Sequence, residues 1–168
     1  GYLRLTSGRI DNSPLQARNT LTQRTFGPES AASTFVEVTQ MKNGDYAGMI
    51  ALQRRYAFVG VKKDNDSYSV VMINGAGDEP VEVASIPLNQ NGVHLKIECD
   101  FKNRTDKARC YISFDGVTWE PIGNTLQMAY TLPHFMGYRF GLIYYATKEA
   151  GGYSEFDYYR VEDRITEE

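Results

Sequence analysis

The chain has 168 residues, 42% of them hydrophobic and 23% charged, with a net charge of −3 at pH 7. That length suits one domain with its own core, and the small negative charge excludes the concentrated basic face that nucleic acid demands. No apolar run approaches the ~18 residues needed to cross a bilayer.

The start, Gly1-Tyr2-Leu3-Arg4, carries no signal-peptide pattern and reads as the cut end of a domain excised from a longer protein, monomeric in isolation. Cellular location, secreted or cytoplasmic in a bacterium, is then set by the parent protein. Twelve tyrosines are the one compositional excess. Each couples a flat apolar ring to a hydroxyl, which suits sheet surfaces and ligand platforms alike.

Short alternating segments recur every ~8–12 residues between turn signals, the pattern of an all-β sandwich or barrel. Thr20–Phe26 reads as an early strand and Thr34–Gln40 as the next. Asn43-Gly44-Asp45 turns the chain into Tyr46–Leu52. Tyr56–Lys62 runs into the polar turn Asp64-Asn65-Asp66, and Ser67–Asn74 returns. Gly75-Ala76-Gly77-Asp78 breaks the sheet before Val81–Ile86, and Asn91-Gly92 is a further turn.

From Val93 to Phe101 the alternation is clean. Val93, Leu95, Ile97, Cys99 and Phe101 take one face, while His94, Lys96, Glu98, Asp100 and Lys102 take the solvent face. Ala108–Phe114 answers across the turn Asn103-Arg104-Thr105-Asp106, with Cys110 in the apolar phase. Cys99 and Cys110 therefore read as two free buried thiols, with a cross-strand disulfide as the alternative. Asp115-Gly116 tolerates positive φ at both central positions and so closes a tight hairpin, over which Trp119 folds back. The last segments are a strand over Gly137–Tyr145 and a closing strand, Phe156-Asp157-Tyr158-Tyr159-Arg160-Val161. No helical spacing lasts beyond about two turns, so residues 1–168 read as a single antiparallel β-sandwich.

Catalytic signals are sparse. The two histidines, His94 and His134, have no partner at metal-binding spacing, and there is no GxGxxG, P-loop or GxSxG motif. Two of the 21 acids would suffice for glycoside hydrolysis, but isolated acids on half-buried strands read as solvated faces.

Several segments together resemble a known family. They are Leu3-Arg4-Leu5, Ala17 to Pro28, Asp45-Tyr46-Ala47-Gly48-Met49-Ile50-Ala51-Leu52-Gln53, Tyr56-Ala57-Phe58-Val59-Gly60-Val61, Ser113 to Trp119, and Phe156-Asp157-Tyr158-Tyr159. In this order, over roughly residues 2–165, they are similar to the accessory domain that follows the catalytic propeller of family 43 glycoside hydrolases, β-xylosidases and α-L-arabinofuranosidases acting on xylan. The resemblance implies a concanavalin-like jelly roll without the catalytic carboxylates, which lie in the propeller. It also implies a carbohydrate-binding module for xylan or xylo-oligosaccharide, with the parent catalytic domain as a further partner.

Neutral polysaccharide is gripped by aromatic faces against its C–H surface, with amide and guanidinium groups on its hydroxyls. In Gly137–Tyr145 the set Arg139, Gly141, Ile143 and Tyr145 opposes a core-like set, and its glycine would let a ligand approach the backbone. The resemblance places Gln23, Arg24, Gln53 and Tyr56 on the same sheet. The expected sugar face is therefore Gln23, Arg24, Gln53, Tyr56, Arg139 and Tyr145. The alternative function is structural: the domain docks on the propeller and helps wall its active site, with Thr25 and Phe26 in the projecting loop. Jelly rolls of this kind often hold a structural calcium ion, for which Asp157 is the candidate ligand, plain exposure being the simpler account.

Overall fold

The alternating segments become twelve β-strands in the computed structural model, which describes residues 3–6, 20–24, 29–52, 56–75, 80–100, 107–127 and 139–162. They are β1 (Leu3–Thr6), β2 (Thr20–Arg24), β3 (Glu29–Glu37), β4 (Asp45–Leu52), β5 (Tyr56–Asp64), β6 (Ser67–Asn74), β7 (Val81–Leu88), β8 (Gly92–Asp100), β9 (Lys107–Ser113), β10 (Glu120–Gln127), β11 (Arg139–Ala146) and β12 (Tyr153–Glu162). Two antiparallel six-stranded sheets result, the first ordered β1-β12-β3-β8-β9-β10 and the second β2-β11-β4-β5-β6-β7. The chain changes sheet repeatedly, so each sheet mixes strands distant in sequence. This is the all-β sandwich expected from the alternation.

The inner faces meet in one core. Val93, Leu95, Ile97 and Cys99 of β8, with Ala108, Cys110 and Ile112 of β9, face Met49, Val59, Val61, Met72, Phe140 and Leu142 of the second sheet. Each large side chain fully buried here contributes roughly 1.5–3 kcal/mol, which is what fixes the register of strands with one apolar face. Cys99 and Cys110 are free and buried, and burial pushes the Cys110 thiol up to about 12. Cys99 is registered opposite Ala108, and Cys110 opposite Ile97, so the two sulfurs occupy neighbouring rather than facing positions.

Some boundaries differ from the expectation for physical reasons. β3 begins at Glu29, because Ser30 to Ser33, small and weakly β-forming, are paired to β8 and their stretch is reinforced by β12. β10 carries Pro121 and Gly123 and shows little alternation, yet it is an edge strand, where a missing N–H costs no ladder bond. Its pairing shifts between Ile122 and Leu126, beside the positive φ of +77° at Gly123. Glu98, expected in solvent, is buried beside Lys96, with Nζ 3.9 Å from its carboxylate. The turn at Asn103 to Asp106 lies outside the described residues.

Candidate functional site

The strands expected to carry the sugar face are neighbours, in the order β2-β11-β4-β5. Arg24 is registered opposite Arg139, Arg139 opposite Leu52, and Leu52 opposite Tyr56, which aligns three of the expected positions in one row. Tyr145 lies six residues further along β11 than Arg139, about 20 Å at the strand rise. Gln23 is registered opposite Phe140, a core residue. Gln53, Thr25 and Phe26 lie outside the described residues.

Tyr56 and Tyr145 belong to an aromatic cluster on the outer face of the second sheet, with Ile50, Phe58, Val71, Ile73 and Ile143, and Tyr46 packed at its edge. Glycines shape it. A Cβ on Gly75 would come within 2.3 Å of the Tyr56 ring, and one on Gly60 within 2.6 Å of Phe58, so both rings lie over bare backbone. Tyr56 is 1% exposed, its hydroxyl has no hydrogen-bond partner among the described residues, and burial pushes its pKa up to about 12. Tyr145, 3% exposed, stacks on Tyr46 with ring centroids 4.9 Å apart and planes 3° from parallel. Gly141 between them is buried.

A second assembly of rings occupies the outer face of the first sheet. Phe35, His94, Trp119 and Tyr158 are half-buried there. The His94 ring lies 4.7 Å from Phe35 and 6.3 Å from Trp119, and its Nδ1 is 3.0 Å from the Tyr158 hydroxyl. Lys96 Nζ lies 4.5 Å from the Trp119 centroid and 5.2 Å from that of Tyr111. Trp119 thus packs against the outward side chains of β8. Burial lowers the His94 pKa, opposed by the charges of Asp115 and Asp157.

The loop from Ser113 to Trp119 is held by a carboxylate rather than by a tight two-residue turn. Only Gly116 has positive φ, at +82°. Asp115 Oδ1 accepts from the Val117 and Thr118 amides at 2.8 Å and from the Ser113 hydroxyl at 3.0 Å. The Thr118 and Val117 amides, then Ser113, hold the Asp115 carboxyl down at about 2. His94 and Lys96 stand on the polar phase of β8 and Trp119 follows Asp115-Gly116, while Phe35 comes from β3 and Tyr158 from β12. What sequence reasoning missed was the pairing of β3 with β8 and β12 that gathers them.

Two further acids contrast. Asp45, fully buried, accepts from the Tyr144 hydroxyl and, at 2.9 Å, from the Lys42 amide, and burial raises its pKa. Asp157 is exposed at the irregularity between Phe156 and Tyr159. Among the described residues no three His, Cys, Asp or Glu gather as a metal site.

Comparison with solved structures places the whole chain beside parts of larger enzymes. It is similar to the bifunctional GH43-CE protein of Bacteroides eggerthii, with 53% identity and a TM-score of 0.93 over 98% of this chain and 21% of that one. It is similar at 26% identity, TM-score 0.91, to a GH43 glycoside hydrolase engineered for both endo-xylanase and exo-arabinofuranosidase activity, covering 98% of this chain and 34% of that one. It shares its fold with xylan β-1,4-xylosidase from Bacillus halodurans C-125, at 18% identity and TM-score 0.76, over 96% of this chain and 32% of that one. The chain thus spans about a fifth to a third of the length of these structures. Comparison with curated proteins finds none that matches. Residues 1–162 match the family model of the β-xylosidase C-terminal concanavalin A-like domain, and the chain belongs to that family, the accessory domain of GH43 enzymes rather than their catalytic propeller.

Proposed function

We propose that this domain is a non-catalytic, hemicellulose-contacting module of a family 43 hydrolase, directed at xylan or arabinoxylan. The observation that carries the reading is the match of residues 1–162 to the accessory domain of GH43 enzymes rather than to their catalytic propeller, and the use of three acids agrees with it. Glycoside hydrolysis needs two carboxyl groups converging on one bond. Here Asp45 is locked by Tyr144 and Lys42, Glu98 sits beside Lys96, and Asp115 is spent on its own loop. What the surface offers instead is rings interleaved with donors and acceptors, which bind sugars without cleaving them.

Calorimetry and affinity electrophoresis of the domain with xylohexaose and soluble arabinoxylan test this. Dissociation constants between micromolar and millimolar are expected, equivalent to ~4–8 kcal/mol. No heat and no mobility shift at millimolar ligand would overturn it.

A second reading, docking on the propeller, is favoured by the small share of each matched structure that the chain spans. Removing the domain from its parent hydrolase would then lower turnover on small substrates as well as on polymer. An unchanged rate on small substrates would count against docking.

A further inference from the structure

We infer that the saccharide site lies on the outer face of the first sheet, around Trp119, Tyr158, Phe35 and His94, with the loop bearing Val117 as its wall. This rests on the hemicellulose reading above and names the surface that would serve it.

The first argument is access. Tyr56 and Tyr145 are closed into their own cluster at 1% and 3% exposure, whereas Phe35, His94, Trp119 and Tyr158 remain half-buried, each with ring surface at the boundary. An amphipathic ring in that position meets the C–H face of a pyranose without first being uncovered.

The second is chemistry. Lys96, Arg109 and Arg160 share this face with Glu98, Asp115 and Asp157. Asp100 registered opposite Lys107 extends the alternation, and charges of both signs interleaved in this way suit a neutral, hydroxyl-rich ligand better than an acidic one. Exposed Asp157 offers acceptors to sugar hydroxyls, and Arg160, its guanidinium 5.4 Å from the Tyr158 centroid, offers donors.

The third is preorganisation. Val117 is 82% exposed and Phe114 39%, and both sit on the loop that Asp115 fastens through two amides and a hydroxyl. The Gln90 amide adds a bond to the Phe114 carbonyl at 2.9 Å. Gly116 lies against the imidazole, since a Cβ there would meet His94 Nε2 at 2.9 Å. An apolar tip held rigidly beside a ring platform loses little entropy when a ligand docks against it.

Trp119 is the chain's only tryptophan, so its fluorescence reports this face without any substitution. Titration of the unmodified domain with xylohexaose should give a saturable change in Trp119 emission whose midpoint equals the calorimetric dissociation constant. Val117→Asp, at a position the core does not use, should weaken binding at least tenfold with an unchanged melting temperature. Calorimetric binding with silent Trp119 emission and full affinity in V117D would overturn the location while leaving the hemicellulose reading intact. Absence of calorimetric binding to any hemicellulose would overturn both.

Discussion

On the outer face of the second sheet, Tyr56, Phe58 and Tyr145 are nearly fully buried. On the outer face of the first, Phe35, Trp119 and Tyr158 stay half-open. Both faces use aromatic residues on alternate strand positions, so side-chain type does not separate them. Their neighbours do. In the second sheet Gly48 and Gly60 are registered opposite each other, and Phe58 lies over Gly60 while Tyr56 lies over Gly75. Rings lie down where backbone is bare. In the first sheet β8 offers His94, Lys96 and Glu98 outward, and rings lean against these longer side chains. That face uses the same device at Gly92, where a Cβ would approach Phe35 to 2.4 Å, and at Gly116, where one would meet the His94 ring at 2.9 Å.

The sharpest way to break this contrast is to remove one ring from each face. Tyr56→Ala should destabilise the domain by about 3–5 kcal/mol, the cost of emptying a buried aromatic site. Trp119→Ala should cost about 1 kcal/mol, since its ring is only partly buried, but should abolish saccharide binding. Denaturant unfolding of the two variants reads the difference directly. Equal losses would mean that the first face is as structural as the second. Tyr56→Phe refines the point: its hydroxyl is buried without a partner among the described residues, so its removal should leave stability unchanged or raise it.

Next in size is the acid beneath the second sheet. Asp45 takes the hydroxyl of Tyr144 and the amide of Lys42 on one oxygen, and a Cβ on Gly152 would come within 2.2 Å of that oxygen. Asp45→Ala orphans two buried donors and should cost about 3 kcal/mol, at the upper end for a lost buried acceptor. Asp45→Asn retains an acceptor for both and should lose less. Equal stability of all three proteins in urea would show that the junction contributes nothing.

How much of this was legible beforehand depends on distance along the chain. The strand from Val93 onward, the Ser67–Asn74 strand and the Asp64 to Asp66 turn were readable because period-two alternation and turn chemistry are local. β10 was not, because Pro121 and Gly123 mask an edge strand that only its pairing with β9 defines. The site was less legible still. The resemblance placed Gln23, Arg24, Gln53 and Tyr56 on one sheet, and it is the strand pairing that sets Arg24, Arg139 and Tyr56 in one row. Whether a ring on that row lies open or closed depends on Gly75, which is registered beside Tyr56 from another strand's end. Burial on an outer face is a property of the pairing, and alternation alone cannot report it.

The smallest expected effect concerns protons on the first face. Burial lowers the His94 pKa from 6.5, so the imidazole is held in its neutral form, against the pull of Asp115 and Asp157. Lys96 on its own strand and Arg160 on β12 add positive charge to the same face. A histidine whose pKa is lower folded than unfolded takes its proton first in the unfolded chain. Above pH ~6.5 neither state binds it and stability is unaffected. As pH falls below ~6.5 the unfolded state gains the proton, and stability declines until the folded imidazole titrates too. The decline should be shallow, should vanish in His94→Gln, and should be absent above pH 7. Any loss of saccharide affinity should set in at lower pH than the stability decline, where the folded imidazole itself takes the proton beside Tyr158, whose hydroxyl lies 3.0 Å from Nδ1. Melting temperatures measured from pH 8 to pH 5 on both proteins check this. Parallel curves for the unmodified domain and His94→Gln would remove His94 from the account and leave the contrast between the two faces to packing alone.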